Sequence, residues 1–333
     1  MNVFLSMAFA VLAWSVYPLI TALALEDGID PFALMFVVQV FATLGAVVFA
    51  SAILKREGLF DAWLEIQTAL PGRAWMTMVV AGAASALSHV FFIMALGMAD
   101  KGAVSLIFET WPIMAIVATP FMVAKAWRKP DGGDYGLAMA GFAGIALMIA
   151  FDSDLGLADR LTGGDGKSFE LTTLLGYILT LLAAYLTMVL NLTRADYALH
   201  FEPLRNRAAS VFVAEAGVRG TASLLLLIVS LIAGTSFGGI GSGLAASAAI
   251  GVFIFALGGG MYTYALLNAR SPNISLAFYM VPVLAVVWLT LAGESDLNLP
   301  MVLGGAAVVA VNIAIFFKNR NQADLALEAA DTP

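Results

Sequence analysis

Ten long apolar stretches fill most of this 333-residue chain: roughly 3–25, 32–54, 75–98, 102–124, 134–151, 172–193, 209–233, 245–268, 272–292 and 299–317. They are called segments 1 to 10 below. A helix that crosses a bilayer needs about 20 mainly apolar residues. Inside hydrocarbon a chain can satisfy its N–H and C=O groups only in a helix or a closed barrel. Segments of this length predict an all-α integral membrane protein with ten transmembrane helices. Composition agrees, with 61% hydrophobic and 12% charged residues, well outside the range of soluble domains. The first segment starts directly after Met1-Asn2 and continues to about Leu25. It lacks the positive n-region and shorter core of a secretion signal, so it reads as the first membrane helix.

The chain also repeats itself. Ala95, Leu96, Ala99, Ser105, Leu106, Phe108 and Pro112 recur at identical spacing 170 residues later, as Ala265, Leu266, Ala269, Ser275, Leu276, Phe278 and Pro282. The copies lie five segments apart. Because five is odd, the second copy enters the membrane upside down relative to the first. Two inverted repeats follow: residues 1–151 and 172–318, joined by an acidic external linker at 152–171 and ending in a polar cytoplasmic tail at 319–333. Inverted repeats are a common way to build a midplane site with alternating access.

Loop charge tests that orientation. With both termini in the cytoplasm, 12 of the 16 basic residues face inward, Lys101, Arg160 and Lys167 face outward, and Arg219 lies within segment 7. The positive-inside bias supports this placement. Equivalent loops carry opposite charge bias. The loop after segment 4 holds Lys125, Arg128 and Lys129, whereas its counterpart after segment 9 holds Glu294 and Asp296. Arg194, Arg205 and Arg207 are counted here with the cytoplasmic loop after segment 6.

Several classes are excluded or demoted. No cysteine is present, so there is no disulfide or thiolate chemistry, and two histidines, His89 and His200, leave little for a metal cluster. No HExxH, GxSxG or phosphate-binding Gly-x4-Gly-Lys-Ser/Thr motif occurs. No resident metal or cofactor is expected, nor an enzymatic activity, and nothing resembles a nucleic-acid surface. Gly163-Gly164-Asp165-Gly166 fits no calcium-loop spacing and reads as solvated linker. Residues 57–72 place Leu59, Phe60, Trp63 and Leu70 among charges, as a helix lying on the cytoplasmic surface would. The Asn191 and Asn273 sequons fall on the cytoplasmic side and are discounted as glycosylation sites.

Ten segments in two five-helix repeats, with Trp14-Ser15-Val16-Tyr17-Pro18 in segment 1, Ser275 to Pro282 in segment 9 and its closing Ala292-Gly293-Glu294, resemble the drug/metabolite transporter superfamily, in particular its EamA-type ten-helix members. Segment 4 departs from the pattern at its end, where Lys125 and Trp127 stand in place of Gly-Glu. The resemblance implies a central cavity bounded by segments other than 5 and 10, with those two at the side where a homodimer could form. It also implies metabolite export and the bacterial inner membrane.

Glu109 is the sharpest site candidate. It stands three residues before Pro112, and a mid-helix proline frees the carbonyl four residues back, here that of Phe108. Ser105, Phe108, Glu109 and Pro112 share one helical face; so do Ser275, Phe278, Tyr279 and Pro282. A carboxylate within a membrane costs about 2.5–3.5 kcal/mol on insertion scales, so it faces a cavity or a partner. It suits a cationic group or a coupling proton. Glu215 and Arg219, four apart on segment 7, read either as an intrahelical pair or with Arg219 holding a substrate anion. His89 is a candidate proton shuttle or a buried histidine bonded to a neighbouring helix. Tyr262 and Tyr279 are the preferred aromatic contacts, with Trp111 beside them. Gly258-Gly259-Gly260, Gly141, Gly144 and Gly304-Gly305 read as close-packing sites.

The expected function is secondary transport of small organic metabolites such as amino acids, related zwitterions or amines, by alternating access. Substrate-binding candidates are Glu109, Tyr279, Tyr262, Arg219, Trp111, Ser105 and Ser275. Glu109 and His89 are the proton-coupling candidates, and Pro18, Pro112 and Pro282 the hinges. The partners are a small-molecule substrate and the lipid bilayer, with a proton and a second copy as candidates. An uptake carrier for an organic ion, a channel and a membrane-embedded sensor are the competing readings.

Overall fold

The computed structural model describes residues 2–26, 28–54, 58–69, 72–111, 113–115, 118, 131–150, 170–198, 204, 206–268, 280–299, 301–311, 313–314 and 317. The described residues are helical with short turns, and no strand occurs among them. Six helices are long and apolar enough to cross a membrane: Val3–Leu25, Pro31–Leu54, Trp75–Leu96, Leu171–Arg194, Arg207–Ala233 and Leu244–Ala265. They coincide with segments 1, 2, 3, 6, 7 and 8. Segments 5, 9 and 10 contain the shorter apolar helices Tyr135–Leu147, Val281–Leu291 and Met301–Val311. Segment 4 is described from Lys101 to Trp111 and at a few positions beyond. Pro112, most of the 152–171 linker, residues 269–279 and the tail from 318 lie outside the described residues.

Three segments expected as single α-helices are interrupted. Segment 1 breaks at Val16, between helices Val3–Ser15 and Tyr17–Glu26, with Pro18 in the first turn of the second. There the missing N–H costs no helical bond. Segment 4 begins as Lys101–Phe108 and is interrupted at Glu109–Thr110, one residue short of Pro112 in sequence. Segment 8 changes from α to a ten-residue π-helix at Ala249–Gly258 and returns to α at Gly259–Asn268. The wider turn is a sequence-silent feature that recurs near functional sites.

The packing does not separate the two sequence halves. Segment 3 packs against 6 and 7, and segment 4 against 6; correspondingly, segment 8 packs against 1 and 2, and segment 9 against 1. Exchanging every segment with its counterpart five places on leaves this scheme unchanged. The 2–7 and 4–9 contacts map onto themselves. Two bundles result, one of segments 3, 4 and 6 and the other of 8, 9 and 1. Each therefore draws helices from both halves. The strongest helix contacts run between the two sequence halves, so the halves are not separate packing units.

Small residues set the close approaches. A side chain on Gly82 would lie 2.6 Å from Thr221 Cβ, between segments 3 and 7. On Gly144 it would lie 2.7 Å from Ala307 Cβ, where segment 5 meets segment 10. The helix Leu59–Ala69 turns Ala62 and Ile66 inward and leaves Phe60 exposed, with Trp63 edge-on to Trp75.

Candidate functional site

A cavity lies between the two bundles, on the inner faces of segments 1, 3, 4, 6 and 8. None of its lining residues belongs to segments 5 or 10. Segment 6 contributes a polar stripe. Its helix runs unbroken from Leu171 to Ala198, so Thr187, Asn191 and Arg194 fall on one face at i, i+4 and i+7. All three line the cavity. Ser88 of segment 3 fixes this helix by bonding the Thr187 hydroxyl at 2.6 Å and the Ala183 carbonyl at 2.9 Å.

Arg194 is the residue that sequence reasoning misplaced. Loop-charge counting assigns it to the cytoplasmic loop after segment 6, yet it is buried inside the extended helix. Glu215 on segment 7 makes that burial tolerable. Arg194 Nη2 donates to Glu215 Oε1, and the Tyr197 side chain also bonds Arg194. The same Glu215 oxygen accepts from Arg219 Nε at 2.9 Å. Arg219 also donates through Nη1 to Ser85 Oγ at 2.7 Å and places its guanidinium 4.6 Å from the Phe255 ring centre. Both the expected Glu215–Arg219 pair and a second arginine are therefore present. The trio carries two formal positive charges and one negative, all buried. Gly259 backs onto it, since a Cβ there would lie 3.0 Å from Glu215 Oε1. The neighbouring Gly258 faces Ala13 and Gly260 faces the Phe212 ring.

Glu109 sits at the end of the short segment-4 helix, nearly buried, with the Trp111 side chain hydrogen-bonded to it. Glu109, Phe108 and Trp111 all line the cavity. His89 enters from segment 3. Its Nδ1 is 2.5 Å from the Ser85 carbonyl, and its ring packs 4.4 Å from that of Phe255. Trp14 and Tyr262 complete the opposite wall.

The cavity thus brings together four expected site residues: Glu109, His89, Trp111 and Tyr262. Arg219 stands behind it, engaged with Glu215 and Ser85. Ser105 is buried and donates to the Lys101 carbonyl of its own helix at 2.8 Å. Pro18 and Pro282 occupy the first turns of their helices. Tyr279, Ser275 and Pro112 lie outside the described residues. Sequence reasoning missed Arg194, Asn191 and Thr187. The i, i+4, i+7 spacing of polar residues on an otherwise apolar helix was the available signal. No cluster of three or more His, Cys, Asp or Glu side chains suited to a metal occurs among the described residues.

Away from the cavity, the bundles meet at one end of segments 4 and 9. Lys101 pairs with Glu294, and Ser295 Oγ donates to the two Asp100 carboxylate oxygens at 3.3 and 3.1 Å. Asp100 also caps the segment-4 helix through the Ala103 N–H at 2.8 Å. Gly293 makes this corner possible. Its φ of 77° is left-handed, and it turns the chain back so that the Glu294 N–H reaches the Leu289 carbonyl at 2.9 Å.

No family model and no curated protein matches this chain. A solved structure described as "Crystal structure of protein" resembles it across 93% of this chain and 95% of that one, with a TM-score of 0.57 and 19% identity. The helical arrangement is therefore one already seen by experiment. At that identity the likeness speaks for fold alone.

Proposed function

We propose that this chain is a secondary transporter of small organic metabolites, of the ten-helix drug/metabolite transporter type, working as an exporter by alternating access. The observation that carries the reading is the cavity between two interchangeable bundles, lined by an acid, Glu109, and a base, Arg194. Amino acids and related zwitterions or amines complement such a lining. Apolar aromatic walls from Trp14, Trp111 and Tyr262 would sit alongside the ligand.

In this mechanism the ligand enters between the bundles, and the bundle of segments 3, 4 and 6 rocks against that of 8, 9 and 1. Interruptions at Val16 and at Glu109–Thr110 supply the bending points beside Pro18 and Pro112, with Pro282 as their counterpart on segment 9. A broken helix exposes backbone polar groups, which membrane proteins tolerate where the chain lines a cavity. The repeat-invariant packing supports the reading of inverted halves; loop charge supports both termini in the cytoplasm, and the family resemblance the bacterial inner membrane. Segments 5 and 10 remain at the side, where a second copy could dock. Glu109 and His89 both line the cavity and would exchange the coupling proton.

Counterflow in proteoliposomes tests the proposal. Vesicles preloaded with an unlabelled amino acid mixture should accumulate labelled amino acid transiently and saturably. Ohmic current without saturable counterflow would instead identify a channel, and binding without flux would identify a sensor.

A further inference from the structure

We propose that the cavity selects ligands bearing both an anionic group and a nitrogen-bound proton, so that it takes an amino acid with a free ammonium and rejects the N-trimethylated form. This rests on the transporter reading for its setting and deepens it at the same site.

Arg194 supplies the anion-binding end. Its Nη2 is committed to Glu215, but its Nε is buried and makes no hydrogen bond. Glu215 is divided between Arg194 and Arg219, so the trio keeps one uncompensated positive charge. A buried charge without a partner is costly. A carboxylate or comparable anion lying against Arg194 supplies the missing negative charge and an acceptor for a free donor.

His89 supplies a different requirement. A carbonyl oxygen only accepts, so the contact with Ser85 places the ring proton on Nδ1. Nε2 is then a bare lone pair, and it is buried without a hydrogen-bond partner. Rings of Phe255 and Tyr17 stand at 4.4 and 5.7 Å and supply no replacement donor along that lone pair. A ligand N–H or O–H would answer it. Glu109, on the adjacent segment 4, attracts the ligand's positive charge.

The three groups together discriminate. A plain amine satisfies Glu109 and His89 but leaves Arg194 unanswered. A plain carboxylic acid does the reverse. A quaternary ammonium zwitterion balances both charges yet carries no N–H for His89. Sites built to hydrogen-bond a ligand group reject analogues that lack it more strongly than apolar pockets reject a methyl group.

Thermal unfolding of the full chain in lipid nanodiscs, with each of the proteinogenic amino acids in turn, reads binding directly. At least one amino acid should raise the unfolding temperature. Its N-trimethylated and decarboxylated counterparts should bind roughly tenfold or more weakly, as expected when a buried polar group is left unpaired. His89→Asn keeps the donor to Ser85 but not the outer acceptor, and should bind the free and trimethylated forms alike. His89→Gln, with an acceptor near the Nε2 position, should restore the preference. Equal binding of both forms by the wild-type protein would overturn the proposal, as would failure of every amino acid to bind. Liposome counterflow run in parallel separates the two claims. Binding selectivity without flux sinks only the carrier reading; flux of the trimethylated form at parity sinks only the selectivity.

Discussion

Lys101 and Glu294 form an ion pair across the two bundles, joining the start of segment 4 to the end of segment 9. Their side chains are 24% and 11% exposed, so water screens the pair only partly. The Asp100–Ser295 bonds lie beside it. At the positions related to these by the 170-residue repeat the sequence has Arg270 and Ser271, and Ala124 and Lys125. Those four positions hold two cations and no acid, so the sequence repeat does not carry the Lys101–Glu294 pairing over. The closed corner is on the side that loop charge assigns to the exterior.

Breaking this pair should therefore bias the protein toward opening outward. Because the chain has no cysteine, a single cysteine at Thr187 reports access to the cavity without background. Glu294→Gln should raise its labelling by an external, membrane-impermeant maleimide about fivefold, the scale of an ion pair worth about 1 kcal/mol. The charge swap Lys101→Glu with Glu294→Lys should return labelling toward the wild-type rate. Unchanged labelling in Glu294→Gln would show that the corner does not govern access.

The Arg194–Glu215–Arg219 trio makes a separate prediction about stability. Glu215→Gln leaves two buried guanidiniums with no carboxylate between them. Removing one partner of a buried pair costs about 3–5 kcal/mol. The purified variant should unfold well below the wild-type temperature. Arg219→Met should cost less, because Arg194 keeps its partner and the trio loses its excess charge. If Glu215→Gln unfolds with the wild-type protein, the carboxylate is not what holds these arginines in place.

Segments 1, 2, 3, 6, 7 and 8 were legible in the sequence to within a few residues, because hydropathy over about 20 residues reports the membrane directly. What hydropathy could not report is where a helix changes its winding. The π-turns of Ala249–Gly258 arise in a stretch as apolar as its neighbours, so composition carries no mark of them. The break at Glu109–Thr110 did have a mark, Pro112, which points to the carbonyl of the residue where the helix stops. The site divides in the same way. Glu109 and His89 stood out as polar groups within apolar segments. Arg194 stood at a segment's end, where an arginine ordinarily reaches for the headgroups. Its true neighbour, Glu215, is 21 residues away, and only tertiary packing brings the two together.

The triple glycine of segment 8 should tolerate substitution unevenly. A Cβ on Gly260 would stand 2.3 Å from Phe212 Cε1, whereas on Gly258 it would stand 3.2 Å from Ala13 Cβ. Gly260→Ala should destabilise by about 1–3 kcal/mol through overpacking, and Gly258→Ala by less. Combining Gly260→Ala with Phe212→Leu should recover part of the loss, which a double-mutant cycle in thermal unfolding measures. Simple additivity of the two substitutions would mean that the ring is not the obstacle.

On the proposed mechanism Glu109 carries the coupling proton. The proposed ligand ammonium is held by the ionised carboxylate, and a proton on Glu109 would cancel that attraction. Proton arrival from the acidic side thus favours ligand release there, and the empty carrier can return protonated. For an exporter this is exchange of an outward ligand for an inward proton, so an acidic exterior should accelerate efflux. Glu109→Gln mimics the protonated acid in shape and charge. It should weaken amino acid binding, by roughly tenfold if one charge-assisted hydrogen bond is lost, and should abolish the acceleration by a pH gradient. Efflux from proteoliposomes at matched internal pH, with and without external acidification, distinguishes the cases. A Glu109→Gln protein whose efflux still responds to external acid would remove the coupling role from this residue, and His89→Gln would then be the next variant to measure.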